Sequence, residues 1–274
     1  MGNNLTILKL FAEVKMRPGM RVCITGASSG IGKEIAIQYA KRGYLLVLTG
    51  RKLKELLEVQ NTCLALGSRQ VEIIQSDVSQ KAECEILIEK TVSLLGGLDI
   101  LVLSAGIAAY QLFKDVNNIE VFQEVLQTNF FGYLYCTFYA LKYLKESKGQ
   151  ILVISSISGE IGLPFRSAYC SSKFAVTGFF ESLRSELDHD EVAITLVCPP
   201  SVRTNLRNNS LVKLDGGNDS EYRISVEDCV RDILAAADRR ARKIFFPFKV
   251  YFAVYLRPFF PDFVDRKLKK AAKL

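Results

Sequence analysis

Short apolar runs alternate along this chain with longer stretches in which apolar residues return every third or fourth position. Seven runs have strand length and few polar interruptions: RVCIT (21–25), LLVLT (45–49), VEIIQ (71–75), DILVLS (99–104), QILVIS (150–155), VAITLVC (192–198) and KIFFP (243–247). The longer period predicts helices near 30–42, 52–66, 80–95, 119–146, 165–188 and 226–239. Strands that are apolar almost throughout must be covered on both faces. Strand–helix alternation supplies the crossovers that parallel pairing needs. The expected architecture is therefore an α/β domain, a doubly wound parallel seven-stranded sheet with helices on both faces. One long polar stretch, 199–222, breaks the pattern, and in a compact domain such a loop is expected to be a lid or binding loop. The segment VLQTNFFGYLYCTFYAL (125–141) is uncharged over 17 residues but contains Gln127, Asn129 and Gly132. It predicts a buried helix rather than a membrane span.

Composition fits one domain: 274 residues, 49% hydrophobic, are enough to cover such a sheet. The seven cysteines form no CxxC pair and are odd in number, which argues against a disulfide framework or a zinc site and for a reducing compartment. The single histidine, His189 in ELDHDE, is expected on the surface, which weighs against a Ser–His triad or a histidine metal site. No metal is expected.

Charge redraws the C-terminal boundary. The net charge is +7, yet from Arg239 onward eleven Lys/Arg face two Asp/Glu. The rest of the chain is thus slightly acidic. The same end holds nine of the 28 Phe and Tyr. A basic, aromatic segment of this kind suits an anionic membrane surface better than nucleic acid. This divides the chain into residues 1–246, the sheet domain with its substrate loop 199–222, and a basic aromatic tail, 247–274. Pro247, Pro258 and Pro261, with Lys249 and Arg257, break the tail into short amphipathic pieces. The tail's rival readings are a dimer contact or a helix over the substrate pocket. The first residues lack the features of a secretory signal, so the expected location is intracellular: cytoplasmic, or peripheral on a cytosol-facing membrane. The AKL ending is similar to a peroxisomal address, and MGNNLT, with Gly2 and Thr6, fits a myristoylation pattern.

Candidate chemistry starts at ITGASSGIG (24–32), where Gly26, Gly30 and Gly32 lie between a predicted strand and a predicted helix. Glycine permits positive φ and close backbone approach, and a helix N-terminus suits a pyrophosphate. The context is that of a dinucleotide site, although the spacing TGxxxGxG differs from GxGxxG. Tyr169 and Lys173, in YCSSK, are four apart on a predicted helix, so they share a face about 6 Å apart. A nearby ammonium stabilises phenolate, so Lys173 is expected to lower the Tyr169 pKa towards the range useful in proton transfer.

TGASSGIG together with YCSSK resembles the short-chain dehydrogenase/reductase family, over about Arg21 to Thr204. The resemblance implies a Rossmann-like fold, a nicotinamide dinucleotide, and hydride transfer at a carbonyl or alcohol carbon. Residue by residue, it implies cofactor contacts at Gly26, Ser28, Ser29, Gly30, Ile31 and Gly32. SDVS resembles the adenine contact, through Asp77 and Val78. LSAG stands where the family has NNAG, with Ser104 for asparagine and Ala105 and Gly106 retained. CPPSVRT resembles PGxVxT through Pro199, Val202 and Thr204, with Pro200 in place of glycine. That replacement puts the backbone contact to the nicotinamide amide in question. The second strand ends in LTGRK, and Arg51 favours a 2′-phosphate, hence NADP(H) over NAD(H).

Family spacing selects Ser156 in ISSISG as the hydroxyl that orients the substrate oxygen toward Tyr169, the general acid/base. The resemblance also implies that Lys173 holds the nicotinamide ribose, that Asn129 in TNFFG helps hold a water in the proton relay, and that the protein forms a homo-oligomer. The tail looks similar to those of lipid- and steroid-metabolising members, hydroxysteroid dehydrogenases and acyl-dihydroxyacetone-phosphate reductase-like proteins among them. That similarity suggests an apolar substrate touching Ser156 and Tyr169. Two alternatives stand beside this reading: a non-catalytic NADP(H)-binding sensor or membrane-associated scaffold, and an NAD-linked alcohol dehydrogenase. The intact Asn129, Ser156, Tyr169 and Lys173 argue against the first, Arg51 against the second.

Overall fold

The computed structural model describes residues 18–187, 191–213, 223–247 and 249–272. His189, Gly2 and Thr6, the last two residues of the AKL ending, and 214–222 of the substrate loop lie outside these residues.

Seven parallel strands run in the order β3-β2-β1-β4-β5-β6-β7: β1 Arg21–Thr25, β2 Leu45–Gly50, β3 Val71–Gln75, β4 Ile100–Leu103, β5 Gln150–Ile154, β6 Ala193–Cys198 and β7 Lys243–Phe245. The helices between them are α1 Gly30–Lys41, α2 Leu53–Ala65, α3 Lys81–Leu95, α4 Glu120–Leu126, α5 Gly132–Ser147, α6 Ser167–Glu186 and α7 Val226–Asp238. Each follows a predicted element to within a few residues. The seven-stranded doubly wound α/β expectation therefore holds.

The period-2 geometry of the strands divides the interior into two cores. Cys23, Val47 and Leu101 face one layer with Leu87, Tyr133 and Phe180. Their neighbours Val22, Ile24, Leu46 and Val102 face the other, with Ile35, Leu56 and Ile233. In β4, β5 and β6 every residue is buried, which is why these runs are almost wholly apolar; the exceptions, Gln150 and Thr195, hydrogen-bond each other at 2.8 Å. At one edge of β1, Arg21 grips Asp99 through Nε and Nη2 at 2.9 and 2.7 Å, tying β1 to the start of β4.

The sheet order reverses between β1 and β4, whose register pairs Val22 with Ile100 and Ile24 with Val102. Open α/β sheets bind ligands at such a switch point, beyond the carboxyl ends of the strands. The glycine loop follows β1 and Ser104–Ala105–Gly106 follows β4, so the two motifs meet there. Thr25 links them: its Oγ1 accepts from the backbone N–H groups of Ser104 and Ala105 at 3.0 and 3.2 Å.

The helix predicted over 119–146 is interrupted. Residues Gln127–Phe131 form a π turn between α4 and α5. Nor is 125–141 buried all round: Val125, Asn129, Tyr133, Cys136 and Ala140 are buried, while Phe138 is 71% exposed. The segment lies against the sheet on one face only.

Beyond β7 the tail forms α8 Lys249–Leu256 and α9 Pro261–Ala272, linked by an Arg257–Asp265 ion pair at 3.4 Å. Val250 is buried in the first core and the Tyr251 ring packs edge-on against Phe245. Among the described residues no helix is long and apolar enough to cross a membrane.

Candidate active site

A cavity of about 490 Å³ opens beyond the strand ends and runs from the glycine loop to Tyr169. Gly26, Ser28, Ser29, Gly30 and Ile31 line one end, with Arg51, Asp77 and Val78 at the rim. Ser104, Ala105 and Gly106 form its floor, and Ser156, Tyr169, Lys173, Pro199, Pro200, Val202 and Thr204 close the other end. Gly32 and Asn129 do not line it.

The glycines have separate physical reasons. Gly26 has φ +66° and a Cβ there would stand 2.7 Å from the Ala105 Cα, so both the turn and the approach of the two loops need it. Gly30, φ +55°, opens α1 opposite the Thr204 methyl group, which a Cβ would meet at 3.2 Å. A Cβ on Gly32 would collide with the Gly26 carbonyl. Gly32 thus lets the helix fold back on the loop itself. Ser29, the N-cap of α1, spends no side-chain bond on capping.

At the rim, an Arg51 Nη1 lies 3.8 Å from an Asp77 carboxylate oxygen, and its side chain is 60% exposed. The other Asp77 oxygen accepts from the Ser79 N–H at 3.0 Å. Ser28 packs beside Gly50, the last residue of β2, so a hydroxyl stands next to Arg51 and Lys52.

At the far end, Tyr169 and Lys173 project from the first turns of α6, and the Lys173 Nζ lies 5.8 Å from the Tyr169 ring centroid. That amine is buried, donates to the Ile154 carbonyl at 2.9 Å, and stands 5.1 Å from the Tyr133 ring centroid. Burial pulls its pKa down to about 7, opposed only partly by Cys198. Ser156 Oγ accepts from the Ser158 N–H at 3.1 Å and lines the same cavity as Tyr169, whose phenol it favours in the ionised form. Its neighbour Ser155 faces Thr177 at 3.3 Å instead.

The expected lowering of the Tyr169 pKa is corrected by the geometry. Burial dominates and raises the phenol well above its ordinary range, with Tyr110 adding to the rise; Arg166 and Ser156 act in the opposite direction. An amine that deprotonates near neutrality is a weak source of positive charge, so the chain's own groups do not produce the phenolate.

Asn129 sits in the π turn and is fully buried. Its Oδ1 accepts from Ile107 N–H at 2.8 Å, while Nδ2 donates to the Ile107 carbonyl and to Ser172 Oγ, both at 2.9 Å. The side chain is thus committed to holding the loop segment following Gly106 against α6. A π turn leaves the regular backbone bonding pattern, and such turns recur at functional sites.

Among the cavity-lining residues that no motif marked are Tyr110, Arg166 and Arg207. They come from separate loops, and a lone arginine or tyrosine in a loop gives no local pattern to detect. All seven cysteines are buried free thiols.

The model of the short chain dehydrogenase family matches residues 20–214. A hydroxysteroid 11-beta-dehydrogenase 1-like protein from Xenopus laevis is 36% identical over 272 residues, covering 96% of this chain and 91% of that protein. Among solved structures, a short-chain dehydrogenase/reductase from Burkholderia phymatum in complex with NAD is similar at TM-score 0.81 and 22% identity, covering 90% of this chain and 95% of that one. An alcohol dehydrogenase from Thermococcus sibiricus complexed with 5-hydroxy-NADP is similar at TM-score 0.74 and 24% identity, covering 83% and 96%. The two structures share the fold. With the family model spanning the sheet through β6 and the Xenopus relative spanning nearly the whole chain, this protein belongs to the short-chain dehydrogenase/reductase family, oxidoreductases acting on CH–OH and C=O groups.

Proposed function

We propose that the protein is an NADP(H)-dependent reductase or dehydrogenase of a lipid-like or steroid-like substrate, with Tyr169 as general acid/base. The observation that carries this reading is one cavity with the glycine loop and Arg51 at one end and Ser156, Tyr169 and Lys173 at the other. Gly26 and Gly30, both at positive φ, belong to a loop that lines the cavity with main chain at the start of α1, which supports a pyrophosphate against that backbone. Ser28, Arg51 and Lys52 offer a hydroxyl and two cations, the donors a 2′-phosphate requires.

When bound, the nicotinamide supplies or accepts the hydride. Tyr169 holds the proton on its phenol oxygen, gives it to the substrate oxygen in reduction and takes it back in oxidation. Ser156, fixed by the Ser158 N–H, orients that oxygen. Lys173, able to exchange a proton near neutrality, replenishes Tyr169 and holds the cofactor ribose. Asn129 keeps Gly106 and α6 in register around this end. The steroid-like alternative draws support from the name of the Xenopus relative.

In this reading the tail docks on an anionic cytosol-facing membrane. Phe252, Tyr255, Phe259, Phe260 and Phe263 are exposed on α8, α9 and the turn between them, and the basic charge of the segment complements such a surface. A chain ending at Phe246 is expected to lose sedimentation with phosphatidylserine vesicles; unchanged binding would exclude this role.

The decisive measurement is NADPH oxidation with a panel of ketones. Tyr169→Phe is expected to lower kcat by about 10²–10⁴ while retaining NADPH binding. Equal turnover by that variant would sink the mechanism.

A further inference from the structure

The substrate end of the cavity contains a charged wall that the reaction itself does not use. The Tyr110 ring has the Arg166 guanidinium 5.4 Å from its centroid and that of Arg207 at 5.6 Å. Tyr110 in turn packs with Tyr169 and Leu206. These residues line the same cavity as Ser156, so the wall adjoins the reacting position.

The backbone is built to hold it. Phe165 has φ +63°, a conformation that bulky residues rarely adopt, immediately before Arg166. The Gln111 N–H donates to the Phe165 carbonyl at 2.9 Å, and the Tyr110 N–H donates to the Val212 carbonyl at 3.0 Å. Arg166 is then the N-cap of α6, three residues ahead of Tyr169, and both line the cavity. It has no carboxylate within ion-pair distance among the described residues. A guanidinium stacked on an aromatic ring keeps its edge, with its fork of N–H donors, for a planar or tetrahedral oxyanion.

We propose that the substrate carries an oxyanionic group, a carboxylate or a phosphate, that seats on Arg166 beside Tyr110. This deepens the oxidoreductase reading and rests on it. It favours an anionic lipid-like ketone or alcohol over a neutral steroid. Charge-assisted, bidentate hydrogen bonds at a partly buried arginine discriminate strongly between an anion and its neutral isostere.

The test uses two matched pairs of ketones with NADPH: a medium-chain keto acid against its methyl ester, and a keto-alkyl phosphate against the matching keto-alcohol. The full chain is expected to prefer the anionic member of at least one pair by about tenfold or more in kcat/KM. The pair that shows the preference tells carboxylate from phosphate. Arg166→Met should collapse that ratio toward one, and Arg166→Lys should restore part of it, a pattern that a merely structural arginine would not give. Equal use of both members in both pairs would overturn the proposal, as would a ratio unchanged in Arg166→Met. If no carbonyl compound is turned over, the hydride-transfer reading fails. The anion site is then judged by calorimetric titration of the same pairs into the protein with NADPH: anion-selective binding lost in Arg166→Met upholds it, and equal binding of both members refutes it.

Discussion

The two ends of the cavity are built in opposite ways. Around the glycine loop the working surface is backbone: Gly26 and Gly32 remove side chains so that main chain can come close, and Thr25 ties two adjacent strand ends together. Around Tyr169 the working surface is side chain: Tyr110, Ser156, Arg166, Lys173 and Arg207 reach in from separate segments. A backbone surface recognises what dinucleotides have in common, and it tolerates little variation because an added Cβ has nowhere to go. A side-chain surface can change its ligand by substitution, and that freedom is what distinguishes members of one family from one another.

This contrast can be attacked at both ends. The largest effect is expected at Lys173. Folded, its amine titrates near 7; unfolded, near 10.5. Between those values the unfolded chain binds more protons, so the wild type gains stability as pH rises from about 7 to about 10.5 and is flat below. Removing the amine removes the cost of burying it. Lys173→Met should therefore be more stable than wild type at pH 6, by on the order of 4 kcal/mol, with the gap closing toward pH 10.5. Denaturant melts across that range check the slope; a gap independent of pH would show that Lys173 is charged and paired in the fold.

Gly26→Ala probes the backbone end. The new methyl meets Ala105 in a residue with φ +66°, and the expected loss is about 3 kcal/mol of stability, together with weakened NADPH binding. A thermal melt that did not move would mean that the two loops yield easily. Arg51→Ala should act least, because its side chain is mostly exposed. NADPH affinity is expected to fall about tenfold with NADH affinity unchanged, read by nucleotide fluorescence titration. An equal effect on both nucleotides would remove the 2′-phosphate reading.

The backbone end was legible in the sequence for the same reason that it is intolerant. Its constraints are local, so TGASSGIG carries the turn, the close approach and the helix start within eight residues. The strands were legible because burial on both faces demands continuous apolar runs. The π turn at Gln127–Phe131 was not, since nothing in QTNFF breaks helical periodicity; the extra residue is accommodated where Asn129 bonds Ile107 and Ser172. Nor was the Tyr169 pKa direction, because spacing gives the distance to Lys173 but not how far each group has been removed from water.

The order of apolar runs and helical periods determined by itself a parallel doubly wound sheet, and the glycine spacing and the Tyr169–Lys173 pair marked residues that line one cavity beyond its strand ends. Periodicity and local turn chemistry act over a few residues and so are written consecutively. Only the tertiary structure decided that Tyr110, Arg166 and Arg207 form one wall, that the Lys173 amine is buried deeply enough to titrate near neutrality, and that Asn129 spends its side chain on packing. Desolvation and long-range juxtaposition depend on which distant segments fold together, and no stretch of consecutive residues encodes them.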